Sequence, residues 1–300
     1  MLVSPRRFCQ PHSVLRLILG LFFCSAALPL KSDPLPPSDV VPGDAIPAGA
    51  FATAWSIQAA GAGALRLMTM AAVAGHYEAA VEIKLSSSAI TYWRQPGEAG
   101  VPPEFSFAGS ENVAKANVSY PAPQRLDEGG IEAFGYRGGV TFPLQVTPAD
   151  TTKPVHLAVT LNYAICDRIC VPAKGHVDLV LPQNGDSPAR AAIAAAQASV
   201  PIVLSAADSA QHVAISTQKG QAKPQWQLSW LGADPLTDLF AEGPQGFAFA
   251  THKTAANIFS LAAVEMPTEP VASVPVRLTL TGPGKSYELT LPLPIDQSAH

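Results

Sequence analysis

The sequence predicts an all-β protein: an antiparallel sandwich, a short connecting helix and a second, smaller β domain. Three observations carry this. The 29 prolines and 22 glycines in 300 residues argue against long helices and for short strands joined by punctuated turns. Strand-like segments recur at short intervals with no helical periodicity between them, the pattern of a sandwich rather than of a parallel sheet. Alternation is plain in HYEAAVEIKL, where Tyr77, Ala79, Val81, Ile83 and Leu85 fall on one face. The composition excludes other classes. With 48% apolar residues the chain is no disordered segment. With 19 Lys and Arg against 23 Asp and Glu it lacks the basic surface that nucleic acid requires.

Taken in order, residues 1–27 read as a signal peptide. Arg6, Arg7 and Arg16 form a positive start with no acid before Asp33, and the apolar run Leu17–Leu30 follows. That run is short of the roughly 20 residues that span a bilayer, so it fits a signal core, with Ser25-Ala26-Ala27 offering cleavage after Ala27. Removing the segment takes away three arginines and no acids, moving the net charge from −4 to −7. No later stretch reaches spanning length without charge or proline, so the mature chain is expected to be exported and to lack a stable membrane span. Residues 28–50 are a Pro-rich linker.

Residues 51–183 form the first β domain, with strands expected at Tyr77–Leu85, Ala89–Trp93, Val113–Tyr120, Gly139–Val146, Val155–Tyr163 and His176–Leu181. Residues 184–200 break the pattern: Ser187 can cap, Pro188 suits the first helical position and the alanines propagate a short helix. Residues 201–300 return to strand signals, at Ile202–Ser205, His212–Ser216, Gln225–Trp230, Gly246–Thr251, Asn257–Ala262, Val274–Thr281 and Ser286–Leu291. Trp226 and Trp230 share a face of one such strand and are expected in a core.

Cys9 and Cys24 fall in the expected signal segment, so the mature chain keeps only Cys166 and Cys170, in YAICDRICVPAKG. Two cysteines in an exported chain pair readily. The loop such a bridge closes is small and gains little entropy, which makes it a poor staple. Extended strand would carry the two about 13 Å apart, whereas a disulfide needs Cα atoms roughly 4.4–6.8 Å apart, so the chain must bend between them. A labile, exchange-active pair and an inert surface bridge both remain open on these grounds. Arg168, between the cysteines, is a candidate for stabilising a thiolate, with Asp167 opposing it. His176 reads as an exposed strand histidine, and Tyr92, Trp93 and Arg94 as core and rim of the sandwich. There is no G-x-G-x-x-G after a strand, no phosphate-binding loop, no H-E-x-x-H and no G-x-S-x-G, so neither a cofactor nor a catalytic metal is expected.

The run Ile131–Ala173, with its I-C-D-R-I-C-V-P segment, and TYWRQPGEAGVPP at Thr91–Pro103 resemble the N-terminal periplasmic domain of DsbD-type thiol:disulfide interchange proteins, and more closely the copper-sensitivity-suppressor branch. The resemblance covers roughly residues 50–183. It implies an immunoglobulin-like sandwich with Cys166 and Cys170 as a redox pair at its edge. It also implies an aromatic cap loop over that pair, placed at AFGYRGG, with Phe134 and Tyr136 as shields. The spacing between the cysteines is shorter than in enteric members, and the membrane and thioredoxin-like domains of full-length members do not follow in this sequence. Expected partners are therefore a separate membrane electron donor and periplasmic thioredoxin-like or disulfide-isomerase-like proteins. The expectation is a periplasmic component of a protein-disulfide reductase system. Two alternatives stand beside it: a copper-handling module using the two thiolates, and a non-catalytic β adaptor with a structural disulfide.

Overall fold

The computed structural model describes residues 50–295, apart from Ala99, Ala222 and Pro270 and the side chain of Ala60. The expected signal peptide, and the expected linker up to residue 49, lie outside the described residues. Those described fall within one compact unit.

The first half is an immunoglobulin-like sandwich. Its strands are β1 (Ser56–Gln58), β2 (Gly63–Thr69), β3 (Tyr77–Leu85), β4 (Ile90–Gly97), β5 (Glu104–Ser106) and β6 (Val113–Val118), followed by β7 (Gln124–Glu128), β8 (Ile131–Arg137), β9 (Gly139–Pro148), β10 (Val155–Cys166) and β11 (Cys170–Leu181). One sheet runs β1-β2-β3-β9-β6; the other runs β11-β10-β4-β8-β7, with β5 also on β10. All the named pairs are antiparallel. The alternation read in β3 is the packing: Tyr77, Ala79, Val81, Ile83 and Leu85 are all buried between the sheets.

Helix α1 (Arg190–Ala198) follows. It begins two residues later than Pro188, because the Ser187 hydroxyl has another task. It donates to the Thr69 carbonyl at 2.7 Å and accepts from the Ala189 amide at 3.1 Å, tying the helix start to β2. Ile193 then packs with Met68 and Ala80 on the outside of the first sheet.

The second half holds β12 (Ile202–Val203), helix α2 (Ala206–His212), β13 (Val213–Gln218), β14 (Gln225–Trp230), β15 (Asp238–Glu242), β16 (Ala248–Ala255), β17 (Ile258–Glu265), β18 (Ser273–Thr281) and β19 (Tyr287–Pro294). Two four-stranded sheets, β12-β19-β18-β15 and β13-β14-β17-β16, enclose a separate core containing Trp226, Leu228 and Trp230. The strand expected to open at His212 starts one residue later, since His212 closes α2. That helix is capped by Ser205, whose hydroxyl accepts from the Asp208 amide.

The halves are locked by one strand. Phe240 of β15 is fully buried in the first core, edge-on to Trp93 at 5.9 Å and to Phe134 at 4.9 Å. Arg94 bonds Glu242 and Glu288, and Arg125 bonds Asp238 through two nitrogens at 2.9 Å. Burial works against the Arg94 charge, but its hydrogen bonds and attraction to the two glutamates outweigh that, holding its pKa above the ordinary value.

Candidate functional site

The site is built on the longest hairpin. β10 and β11 stay in register from Val155↔Leu181 to Cys166↔Cys170, and Asp167, Arg168 and Ile169 make the turn. Four residues that would spread far apart in a strand are thus folded back on themselves, leaving the cysteine Cα atoms 4.0 Å apart and the sulfurs bonded. The bend that the spacing demands is this turn. β11 is an edge strand, so Pro172, opposite Ala164, removes no donor that an interior strand would need. The two sulfurs differ in access: Cys166 is 2% exposed, whereas Cys170 is exposed.

Two further side chains converge on the bridge. Tyr92 of β4 is buried with Ile90, Leu126, Ala133, Ala164 and Cys166 on the outer face of the sheet. Its hydroxyl donates to Glu128 Oε2 at 2.7 Å, and its oxygen lies 2.9 Å from Cys166 Sγ. Glu128 Oε1 lies 2.7 Å from Cys170 Sγ. Burial first, then the hydrogen bond to Glu128 and its charge, push the Tyr92 phenol well above its ordinary pKa, so it is a neutral donor at any physiological pH. Gly100 holds the ring from outside, in a left-handed conformation (φ +106°); a Cβ there would sit 2.3 Å from Tyr92 Cε1. Glu128 ends β7 at a tight turn where Gly129 and Gly130 both take positive φ and Asp127 Oδ1 accepts the Gly130 amide.

The cap placement at AFGYRGG is corrected. Phe134 and Tyr136 are not loop residues but strand β8, each 6% exposed and in the core between the sheets. They alternate with Ala133, which faces the sulfur side, so their rings point away from the disulfide. Tyr136 Oη instead donates to the Pro121 carbonyl at 2.9 Å. The side chains that lie against the bridge are those of Tyr92 and Glu128. The signal was in the sequence: Gly129-Gly130 between QRLDE and IEAFGYR is a hairpin turn, which makes both flanks strands.

Arg168 lies at the exposed turn, and among the described residues its guanidinium has no ion-pair partner. His176 is an exposed strand residue bonded to Thr160 Oγ1 at 3.0 Å, away from the sulfurs. Of the TYWR segment, Tyr92 joins the site, Trp93 is core, and Arg94 belongs to the contact between the halves. Exposed apolar side chains lie on segments adjoining the site: Val101 next to Gly100, Ile131 at the start of β8 opposite Glu128, and Ile169 in the hairpin turn. Among the described residues, Glu128, Cys166 and Cys170 are the one group of three or more His, Cys, Asp or Glu side chains whose ligand-type atoms all lie within 4.8 Å of one another; with the sulfurs bonded together, it offers no thiolate.

Fold and site together define a β-sandwich protein with a disulfide at a solvent-facing hairpin tip, flanked by a carboxylate and a phenol. Residues 66–182 match the family described as thiol:disulfide interchange protein DsbD, N-terminal. That span runs from β2 through β11 and contains both cysteines and Glu128. Among solved structures, the chain is similar to the N-terminal periplasmic domain of ScsB from Proteus mirabilis, at 20% identity and a TM-score of 0.66, covering 82% of this chain and 100% of that one. At that identity the likeness is one of fold. No curated protein matches. The resemblance read from the sequence is thus borne out by the family match and by the fold. No helix among the described residues is long and apolar enough to cross a membrane.

Proposed function

We propose that this chain is a periplasmic thiol:disulfide interchange protein, exported through the segment 1–27, that passes reducing equivalents through Cys166 and Cys170 to or from exported partner proteins. The observation that carries this is the asymmetry of the pair at the hairpin tip: Cys170 exposed, Cys166 buried beneath Tyr92. An inert staple needs no such difference; a relay does, because one sulfur must meet the partner and the other must resolve the mixed disulfide.

In the reducing direction, the Cys170 thiolate attacks a partner disulfide. A Cys170–partner bond forms, and the other partner sulfur leaves and takes up a proton. The Cys166 thiolate then attacks Cys170 Sγ, closing the Cys166–Cys170 bond and releasing the second partner thiol. Two electrons and two protons have moved to the partner. Reduction of this chain by a membrane electron donor is the same sequence reversed. Val101, Ile131 and Ile169 supply apolar contact for a thioredoxin-like or disulfide-isomerase-like partner around the exposed sulfur. Arg168, in the turn between the cysteines, is the candidate for favouring the thiolate during transfer.

The test is trapping. Cys166→Ser leaves the exposed sulfur without its resolver and is expected to accumulate mixed disulfides with periplasmic proteins. Cys170→Ser leaves only the buried sulfur and is expected to trap few. Equal trapping by both variants, or none by either, rejects the relay and leaves a structural bridge.

A further inference from the structure

We propose that two copies of this chain pair through the free edge of β13, antiparallel and about a twofold axis, so that their second halves share one continuous sheet. An open sheet edge presents unpaired amides and carbonyls to any other strand, and folded chains blunt such edges with charge, proline, bulges or brevity. The other edge strands here carry those devices. β11 holds Pro172 and Lys174, β6 holds Lys115 beside a break in register, and β16 holds Lys253 and two such breaks. Charges of β7 and β15 meet one another across the halves, and β1, β5 and β12 run only two or three residues. β13 has none of these. Its six residues, VAISTQ, include no charge and no proline, and they pair with β14 in unbroken register.

The ladder fixes which groups of β13 are open. The Leu231 amide donates to the His212 carbonyl at 2.7 Å, so residues 212 and 231 form a hydrogen-bonded pair. Bonded and non-bonded pairs alternate along an antiparallel ladder, so Ala214, Ser216 and Gln218 bond β14, whereas Val213, Ile215 and Thr217 turn their N–H and C=O groups outward. The Val213 amide is taken by the Ser209 carbonyl at the end of α2. Among the described residues, nothing bonds the outward N–H or C=O of Ile215 or Thr217, and both residues are partly exposed. Four backbone groups in line are therefore ready to accept a strand.

Charge selects the occupant. A twofold axis sets a strand against its own sequence, so a charge near the axis meets its equal, and like charges directly opposite are destabilising. β13 carries no charge to repel its copy. In the register centred on Ser216, Ile215 exchanges both bonds with the partner's Thr217, and Thr217 does so with the partner's Ile215. Ser216 then faces its own copy on the solvent side. The facing sheet adds apolar area. β15 packs on β16 at one side of the second half, so β12 and β13 are the outermost strands of the two sheets at the other. Ile202 and Val203 of β12 are 49% and 72% exposed, and a twofold axis normal to the sheets brings them against the partner's β12. The copy thus covers backbone in one layer and apolar side chains in the other.

The experiment is sedimentation equilibrium of the purified chain, run from about 10 μM to about 1 mM because a contact of this size is a weak one. The parent chain is expected to pass from monomer to dimer in that range. Ser216→Lys sets two ammonium groups against each other at the axis. Thr217→Pro removes an outward N–H and leaves the bonds to β14 in place. Each is expected to weaken the dimer at least tenfold, with the far-UV circular dichroism of the parent. A parent chain that stays monomeric throughout overturns the proposal. So does a dimer that survives both substitutions, because the copies then meet on another surface.

Discussion

At the scale of single residues, two kinds of aromatic side chain have exchanged the roles the sequence suggested for them. Tyr92 lies in a segment that reads as core and rim, and its hydroxyl lies against the Cys166 sulfur. Phe134 and Tyr136 sit among glycines and read as a flexible cap, and they are core. The reason is parity. In β8 Ala133 packs with Tyr92 and Cys166, Gly135 pairs with Tyr92, and the large rings take the other face. Replacing Phe134 with alanine therefore empties a site packed against Phe240 and is expected to cost about 3–5 kcal/mol of stability. Urea denaturation measures this. A loss under about 1 kcal/mol would return Phe134 to the surface. Reaction of the disulfide with dithiothreitol, by contrast, is expected to respond to Glu128→Ala, which opens the turn without touching the core.

At the scale of elements, the hairpin β10–β11 was read from the sequence, whereas the hairpin β7–β8 was missed although its Gly129-Gly130 turn is visible there. Alternation from Val155 onward and the geometric demand for a bend between the cysteines together specify the first. The second was obscured by three glycines in FGYRGG, which read as a loop because glycine in a strand is unfavourable. Gly135 is there for a different reason. A Cβ at this position would sit 2.1 Å from the Thr91 carbonyl oxygen and 3.0 Å from Tyr92 Cα, so only glycine lets β8 lie this close to β4. No pattern in one chain separates a glycine required by close approach from one that frees a loop. The prediction follows from the distance. Gly135→Ala must push β4 and β8 apart at the residue that carries Tyr92, so it is expected to destabilise the fold by more than about 2 kcal/mol. It is also expected to speed reduction of Cys166–Cys170 by dithiothreitol, as Tyr92 leaves the sulfur. Stability and rate both matching the parent chain would show that the strands adjust freely.

At the scale of the whole molecule, the strand pattern on either side of a short helix predicted two β bodies, and two separate cores are present; how firmly they are joined had no counterpart in that pattern. β15 had no strong strand signal, since Asp238–Glu242 is a short run with charges at both ends. Those charges are its function. Asp238 meets Arg125 and Glu242 meets Arg94, while Phe240, between them, is buried in the other core. Arg94 and Arg125 stack on the aromatic groups they flank, Arg94 over Trp93 at 4.6 Å and Arg125 over Phe240 at 5.3 Å. The arginines sit on β4 and β7, the strands that also carry Tyr92 and Glu128, so the second body braces the strands that flank the disulfide. Half-buried pairs of this kind give little net stability and much orientation; the apolar knob supplies the energy. Phe240→Ala is therefore expected to cost about 3–5 kcal/mol and to uncouple the two bodies. In the parent chain, far-UV circular dichroism and tryptophan fluorescence should trace one coincident urea transition, because neither body can unfold without exposing Phe240 or leaving its pocket empty. In Phe240→Ala the two signals should separate, since Trp93 reports the first core while Trp226 and Trp230 report the second. Coincident transitions with a loss below about 1 kcal/mol would mean that the ion pairs alone join the bodies, and that the buried ring is incidental to their coupling.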